Sequence, residues 1–204
     1  TVLSRGLGDV YKRQFLKFCF MNYLWKPSSK LVENSILNQF TKNIDVKFEK
    51  NFKKLWQWSI ENPEKFWSKF WDFSKIIGDK GNKIIVKDKV FNKSKFFPDG
   101  RLNYAENILK KRSNEVAINF LSEHGIEEEI TWNELHERVC RFSAYLKKLN
   151  LKKGDRVAAY TPNKIECVIC FLACAKNGII WSSCSPDFGV QGVVDRFKQI
   201  EPKV

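Results

Sequence analysis

The sequence predicts an α/β fold, in which a helical N-terminal cap leads into the first strand–helix repeats of a parallel sheet with crossover helices. Three observations carry this. Beyond residue 115, short runs rich in Val, Ile, Phe and Tyr alternate with longer stretches of helical spacing. Gly154, Pro162 and Gly178 punctuate that alternation at element boundaries. Before residue 110 the spacing is mainly helical and aromatic-rich, with only short strand candidates.

In order, Asp9-Val10-Tyr11-Lys12-Arg13-Gln14 resembles translated adapter sequence, and the single Met is Met21. Residues 1–20 therefore read as a non-native leader. A secretory signal is the poorer reading, because Lys17 interrupts the apolar residues 15–20 and no small-residue cleavage site follows. After Trp25-Lys26-Pro27, Ser28 or Ser29 is placed to cap a helix carrying Leu31, Ile36, Leu37, Phe40 and Ile44 towards one side. Phe52, Leu55 and Trp56 form a stripe on the next helix. Asn62 and Pro63 open another, with Phe66, Trp67, Phe70, Trp71 and Phe73. Aromatics among lysines invite a stacking platform for single-stranded nucleic acid, but the i, i+3, i+4 spacing points to packing.

Residues 78–83 are a turn-rich break, and Ile84-Ile85-Val86 and Val90-Phe91 are short strand candidates. Residues 96–107 form a loop opening into a helix. Val116-Ala117-Ile118-Asn119-Phe120 is a strand, which residues 127–130 can join as a hairpin. Thr131 followed three residues later by Glu134 is a capping box. Its helix carries Leu135, Val139, Phe142, Leu146 and Leu149. Arg156-Val157-Ala158-Ala159-Tyr160 is a buried strand, residues 165–176 a helix, residues 179–182 a strand and residues 191–198 a third helix. Residues 200–204 read as a loop entering a further strand, which makes the chain an N-terminal fragment of something longer.

The net charge of +13 raises nucleic acid or a membrane surface as partners. The lysines are scattered, however, with no compact basic block, and no apolar run approaches the roughly 20 residues of a membrane span. Cys140, Cys167, Cys170 and Cys174 lie in apolar helical patterns, as buried reduced thiols do in a cytosolic protein. The spacing of Cys167, Cys170 and Cys174 invites a metal test, yet a structural site draws four ligands from turns, so no metal is expected. The two histidines, His124 and His136, sit among polar residues and read as solvated. No P-loop and no Gly-x-Gly-x-x-Gly occurs, which removes the usual mononucleotide and dinucleotide signatures.

The most distinctive stretch is Trp181-Ser182-Ser183-Cys184-Ser185-Pro186-Asp187-Phe188-Gly189, a strand ending in small residues before a helix. A strand C-terminus opening into a helix N-terminus is where open α/β sheets receive anionic ligands. With Gln199-Ile200-Glu201-Pro202, this stretch closely resembles the acetoacetyl-CoA synthetases of the adenylate-forming acyl-CoA synthetase superfamily. Leu24-Trp25-Lys26-Pro27-Ser28 is similar to their N-terminal signature. Trp58-Ser59, Phe66-Trp67, Phe96-Phe97-Pro98 and residues 101–107 resemble the acetyl-CoA-synthetase-type N-terminal region. Gly154-Asp155-Arg156-Val157-Ala158 and Pro162-Asn163 with Glu166 resemble the superfamily as a whole.

The resemblance implies residues 21–110 as that N-terminal region and residues 111–204 as the start of an AMP-binding adenylation domain. It implies an AMP-forming ligase acting on ATP, acetoacetate and CoA, with magnesium, in the cytoplasm. Ser185, Pro186 and Asp187 match the loop that borders the pantetheine channel. The other reading of these three, a sheet-edge turn with Asp187 capping the next helix, stays open. The phosphate loop, the adenine and magnesium motifs and the lid lysine of the family do not occur in these residues, so no catalytic residue is assigned and the 204 residues alone are expected to be inactive. The alternatives are another short-chain acyl-CoA synthetase of the acetyl or propionyl type, and a small basic nucleic-acid-binding protein.

Overall fold

The computed structural model describes residues 24–44 and 51–204, so the expected leader and the start at Met21 lie outside the described residues. The chain divides into two compact units, the first ending at Glu61 and the second running from Asn62 to Val204.

In the first unit, α1 (Ser29–Asn34) begins at Ser28, whose hydroxyl accepts a hydrogen bond from the Leu31 N–H at 3.2 Å. The expected single helix then breaks. Ser35 is extended and its Oγ accepts from the Asn38 N–H at 3.1 Å, starting α2 (Ile36–Lys42). A serine that bonds the backbone locally competes with helix continuation. The predicted stripe consequently falls out of phase: Phe40 and Ile44 are buried, whereas Leu31, Ile36 and Leu37 are exposed. In α3 (Phe52–Glu61) only Leu55 of its predicted stripe is buried.

The second unit opens with α4 (Pro63–Phe73), with Pro63 at its first turn. Its aromatics pack on rings: Phe66 stacks on Phe70, Trp67 meets Phe96 at 5.3 Å between centroids, and Trp71 meets Phe97 at 4.8 Å. Two short antiparallel ribbons follow. β1 (Gly78–Asp79) pairs with β4 (Arg101–Leu102), and β2 (Ile85–Val86) with β3 (Lys95–Phe96). Gly78 has φ +153°, and a Cβ there would lie 2.6 Å from the Arg101 carbonyl oxygen, so only glycine fits this close pairing. Phe91 is not in a strand as expected; Phe91–Lys93 is a 3₁₀ turn.

Asn103 caps α5 (Tyr104–Ile108) and also donates through Nδ2 to the Ala175 carbonyl at 3.0 Å, tying α5 to a later helix. β5 (Val116–Leu121) and β6 (Glu127–Thr131) form the expected antiparallel hairpin. α6 (Trp132–Lys148) starts at the complete capping box of Thr131 and Glu134. β7 (Arg156–Tyr160) and β8 (Ile180–Cys184) pair in parallel across the crossover helix α7 (Ile165–Lys176). α8 (Val190–Ile200) follows. The parallel pairing lies in β7 and β8, and β5 bonds to β6 instead of joining them.

The core of this unit is built where α5, α6 and α7 meet the strands. Ala105, Ile130, Leu135, Val139, Leu146, Val157, Ile165, Leu172, Ala173 and Cys174 are all buried there. Each buried Leu, Ile or Val among them contributes about 1.5–3 kcal/mol of transfer free energy. The one buried polar side chain among the described residues, Ser143, accepts from Asn177 Nδ2 at 2.8 Å. Gly178 closes α7 at φ +68°, where a Cβ would lie 3.0 Å from Lys153 Cγ.

Candidate functional site

Both parallel strands run their carboxyl ends towards the loop that the sequence singles out. Cys184 is the last residue of β8 and is buried; Ser185 is half-buried, and Pro186 and Asp187 are exposed. The loop is held by a small set of hydrogen bonds. The Thr161 N–H donates to the Cys184 carbonyl at 3.0 Å, and the Phe188 N–H to the Ser185 carbonyl at 3.1 Å. Ser185 Oγ donates to Asp187 Oδ2 at 2.8 Å. The Tyr160 hydroxyl donates to the Pro186 carbonyl at 2.7 Å, tying the end of β7 to the turn after β8.

Asp187 does not cap the following helix. Gly189 is the N-cap of α8 and supplies no side chain, and the Asp187 carboxylate is engaged with Ser185. The first turn of α8 carries no acidic residue, so the positive end of the helix dipole is uncompensated by a side chain of its own. Arg196, one turn further along, stacks its guanidinium on the Phe188 ring at 4.2 Å. Tyr160, Phe188 and Val190 present exposed apolar surface beside these polar groups. The edge therefore offers a helix N-terminus for an anion, small side chains for close approach and apolar flanks for an extended chain.

The strand arrangement strengthens this position. β7 directs the Asp155 carbonyl and the Thr161 N–H at β8. The alternate groups of β7 face the other way: the Lys203 N–H donates to the Arg156 carbonyl at 2.8 Å, and the Ala158 N–H to the Val204 carbonyl at 2.7 Å. Residues 203–204 thus run beside β7 in the same direction, on the side opposite β8. Glu201 turns the chain there in a left-handed conformation, with its carbonyl accepting from the Arg156 guanidinium. Asp155 bonds Lys203 Nζ at 2.7 Å. The Lys152 N–H, and after it Lys203, hold the Asp155 carboxyl below the usual range. With β8 on one side and residues 203–204 on the other, the chain reverses its order about β7. Such a switch point is where open α/β sheets take ligands, outside the strand carboxyl ends.

Ser185, Pro186 and Asp187 come together at this edge. The sequence reading missed Tyr160, although its place at the carboxyl end of β7 is a signal that could have found it. Of the four cysteines expected to be buried, only Cys174 is: it is fully enclosed, and burial pushes its thiol up to about 11, whereas Cys140, Cys167 and Cys170 are half-buried because they lie at the margin of the helix faces that pack. Among the described residues no group of three or more His, Cys, Asp or Glu side chains is arranged to hold a metal ion. No helix among them is long and apolar enough to cross a membrane. His136, expected to be solvated, is half-buried, with Nε2 3.5 Å from the Cys140 sulfur.

Residues 105–204 match the family described as AMP-binding enzyme, and residues 52–108 match the acetyl-coenzyme A synthetase N-terminus. The chain is 40% identical over 184 residues to an acetoacetyl-coenzyme A synthetase of Rhizobium meliloti (strain 1021), covering 89% of this chain and 28% of the relative. It is 41% identical over 192 residues to an acetoacetyl-CoA synthetase of Xenopus tropicalis, with the same coverage of 89% and 28%. The solved acetoacetyl-CoA synthetase from Streptomyces lividans superposes with a TM-score of 0.78 at 30% identity, over 89% of this chain and 29% of that one. The chain thus spans little more than a quarter of the length of these relatives.

Proposed function

We propose that the chain is part of an acetoacetate–CoA ligase of the AMP-binding enzyme family, and that Ser185, Pro186 and Asp187 border the channel for the CoA pantetheine arm. The observation that carries the reading is the 40% identity with acetoacetyl-CoA synthetases across 89% of the chain. The loop itself supports it: the hydrogen bonds from Tyr160 and Ser185 hold a turn whose Pro186 and Asp187 remain exposed.

The proposed reaction has two steps. A carboxylate oxygen of acetoacetate attacks the α-phosphorus of ATP, and pyrophosphate leaves as the acyl-adenylate forms. The CoA thiol sulfur then attacks the acyl carbonyl carbon, the thiol proton is lost, and AMP leaves with the C–O bond electrons. Magnesium would neutralise phosphate charge in the first step. The described residues hold no matching ligand cluster, so none is assigned to it. Residues 21–110 would form the acetyl-CoA-synthetase-type N-terminal region and residues 111–204 the start of the adenylation domain. The two family matches, which meet at residues 105–108, support that division. The proposed setting is the cytoplasm, with ATP, acetoacetate and CoA as small-molecule partners.

Two measurements test the reading. The 204 residues alone are expected to give no ATP–pyrophosphate exchange, and exchange by the purified chain contradicts that. In the full-length ligase, Asp187→Ala is expected to weaken the apparent affinity for CoA about tenfold, the scale of a hydrogen bond to a charged group. An unchanged affinity removes Asp187 from the CoA site.

A further inference from the structure

A cavity of about 600 Å³ opens beside the C-terminus of α7, apart in the chain from the loop after β8. Its charged lining comes from Glu106 on α5, Lys110 and Arg112 just after it, His136 on α6 and Lys176 in the last turn of α7. Lys110 is engaged in the fold, its Nζ donating to the Ser74 and Lys75 carbonyls at the end of α4. Arg112 donates through Nη1 to the Leu109 and Lys111 carbonyls. Its other guanidinium N–H groups meet no acceptor among the described residues. Lys176 Nζ donates to the Cys140 sulfur at 3.1 Å, a thiol in place of a carboxylate. None of these three cations forms an ion pair among the described residues. Glu106 is the one acid in the lining, and its carboxylate takes no hydrogen bond among them. Three cations against one carboxylate leave a local excess of two positive charges in a concave site.

We propose that this cavity binds a dianionic phosphate group, gripped by Arg112 and Lys176 with His136 beside them. The excess charge matches a phosphate dianion. A planar guanidinium and a rotatable ammonium are the side chains that bond phosphate oxygens most strongly. Burial, followed by the charges of Arg112 and Lys176, keeps the His136 imidazole below its ordinary pKa. A bound dianion opposes those charges, so the imidazole can take a proton and become a further donor. The site is separate from the loop after β8. It does not depend on the CoA assignment made there.

His136 and the exposed His124 are the two histidines of the chain, so their ring resonances give a site probe and an internal control. The chain is titrated at constant ionic strength, with chloride as balance, using inorganic phosphate, pyrophosphate and AMP in separate arms. The expected result is a saturable shift of His136 with a raised pKa, while His124 stays still. Saturation by the inorganic anions identifies a free phosphate species as the source, and saturation by AMP alone identifies a nucleotide. Arg112→Ala and Lys176→Ala are each expected to raise the apparent Kd about tenfold, with Lys176→Arg restoring most of it. Absence of a saturable His136 shift in all three arms, or equal shifts at both histidines, overturns the proposal without recourse to a variant. Undiminished binding in both alanine variants also overturns it.

Discussion

The helices α6 and α7 bury Leu135, Val139, Leu146, Ile165, Ile169 and Leu172, whereas α1 and α2 leave Leu31, Ile36 and Leu37 at 54%, 73% and 47% exposure. Both pairs carry apolar residues at helical spacing. They differ in phase and in partners. α6 is one uninterrupted helix from its capping box onward, so its stripe stays in register against α7, β5 and β6. In the first unit, Ser35 ends one helix and caps the next, and the chain turns between Leu31 and Ile36. Apolar spacing predicts a core face only while the helix that carries it continues. A single serine with a backbone partner is enough to end it.

Cutting into each pair is the strongest way to test that contrast. Leu172→Ala, at a site 2% exposed, is expected to cost about 3 kcal/mol, read from urea denaturation. Leu37→Ala should cost less than about 1 kcal/mol in the same assay. Equal losses would abolish the distinction.

A smaller effect comes from the caps. Thr131→Ala removes one half of the capping box and should cost about 1 kcal/mol. Ser35→Ala removes a cap as well, but it also removes what separates α1 from α2. Its loss should therefore be smaller and be accompanied by slower amide exchange at residues 34–36. Faster exchange there would mean that Ser35 does not interrupt the helix.

The smallest expected effect is on pH dependence and touches only the second unit, which holds both histidines. The folded state depresses the His136 pKa below 6.5, so the unfolded chain binds more protons in that range. Stability is complete above 6.5 and is lost as pH falls through that value towards the folded pKa. Urea midpoints measured on either side of 6.5 should show the loss, and His136→Gln should remove it. A midpoint that rises on acidification would reverse the assigned sign.

Much of the second unit was legible because its signals are local. The Thr131–Glu134 box, the Pro162 turn and the Asn177-Gly178 stop bracket α6 and α7, and each acts within a few residues. The two-residue strands were harder. β3 at Lys95–Phe96 has no alternation to read and exists because Ile85 and Val86 pair with it. The candidate loop was visible as residues 185–187, since a small-residue turn between a strand and a helix is a local pattern. Tyr160 was not, because its tie to Pro186 spans 26 residues.

The sequence by itself determined the elements from β5 onward, the turn at Ser185 and the family resemblance, because caps, breakers and apolar periods act over one or two turns of chain. The tertiary structure alone decided that the β5–β6 hairpin stays unbonded to the parallel pair, and that residues 203–204 lie on the far side of β7. It also brought Arg112, His136 and Lys176 to one cavity. Strand partners and converging charges are chosen by backbone pairing and packing between distant segments, and periodicity along the chain does not encode which segments meet.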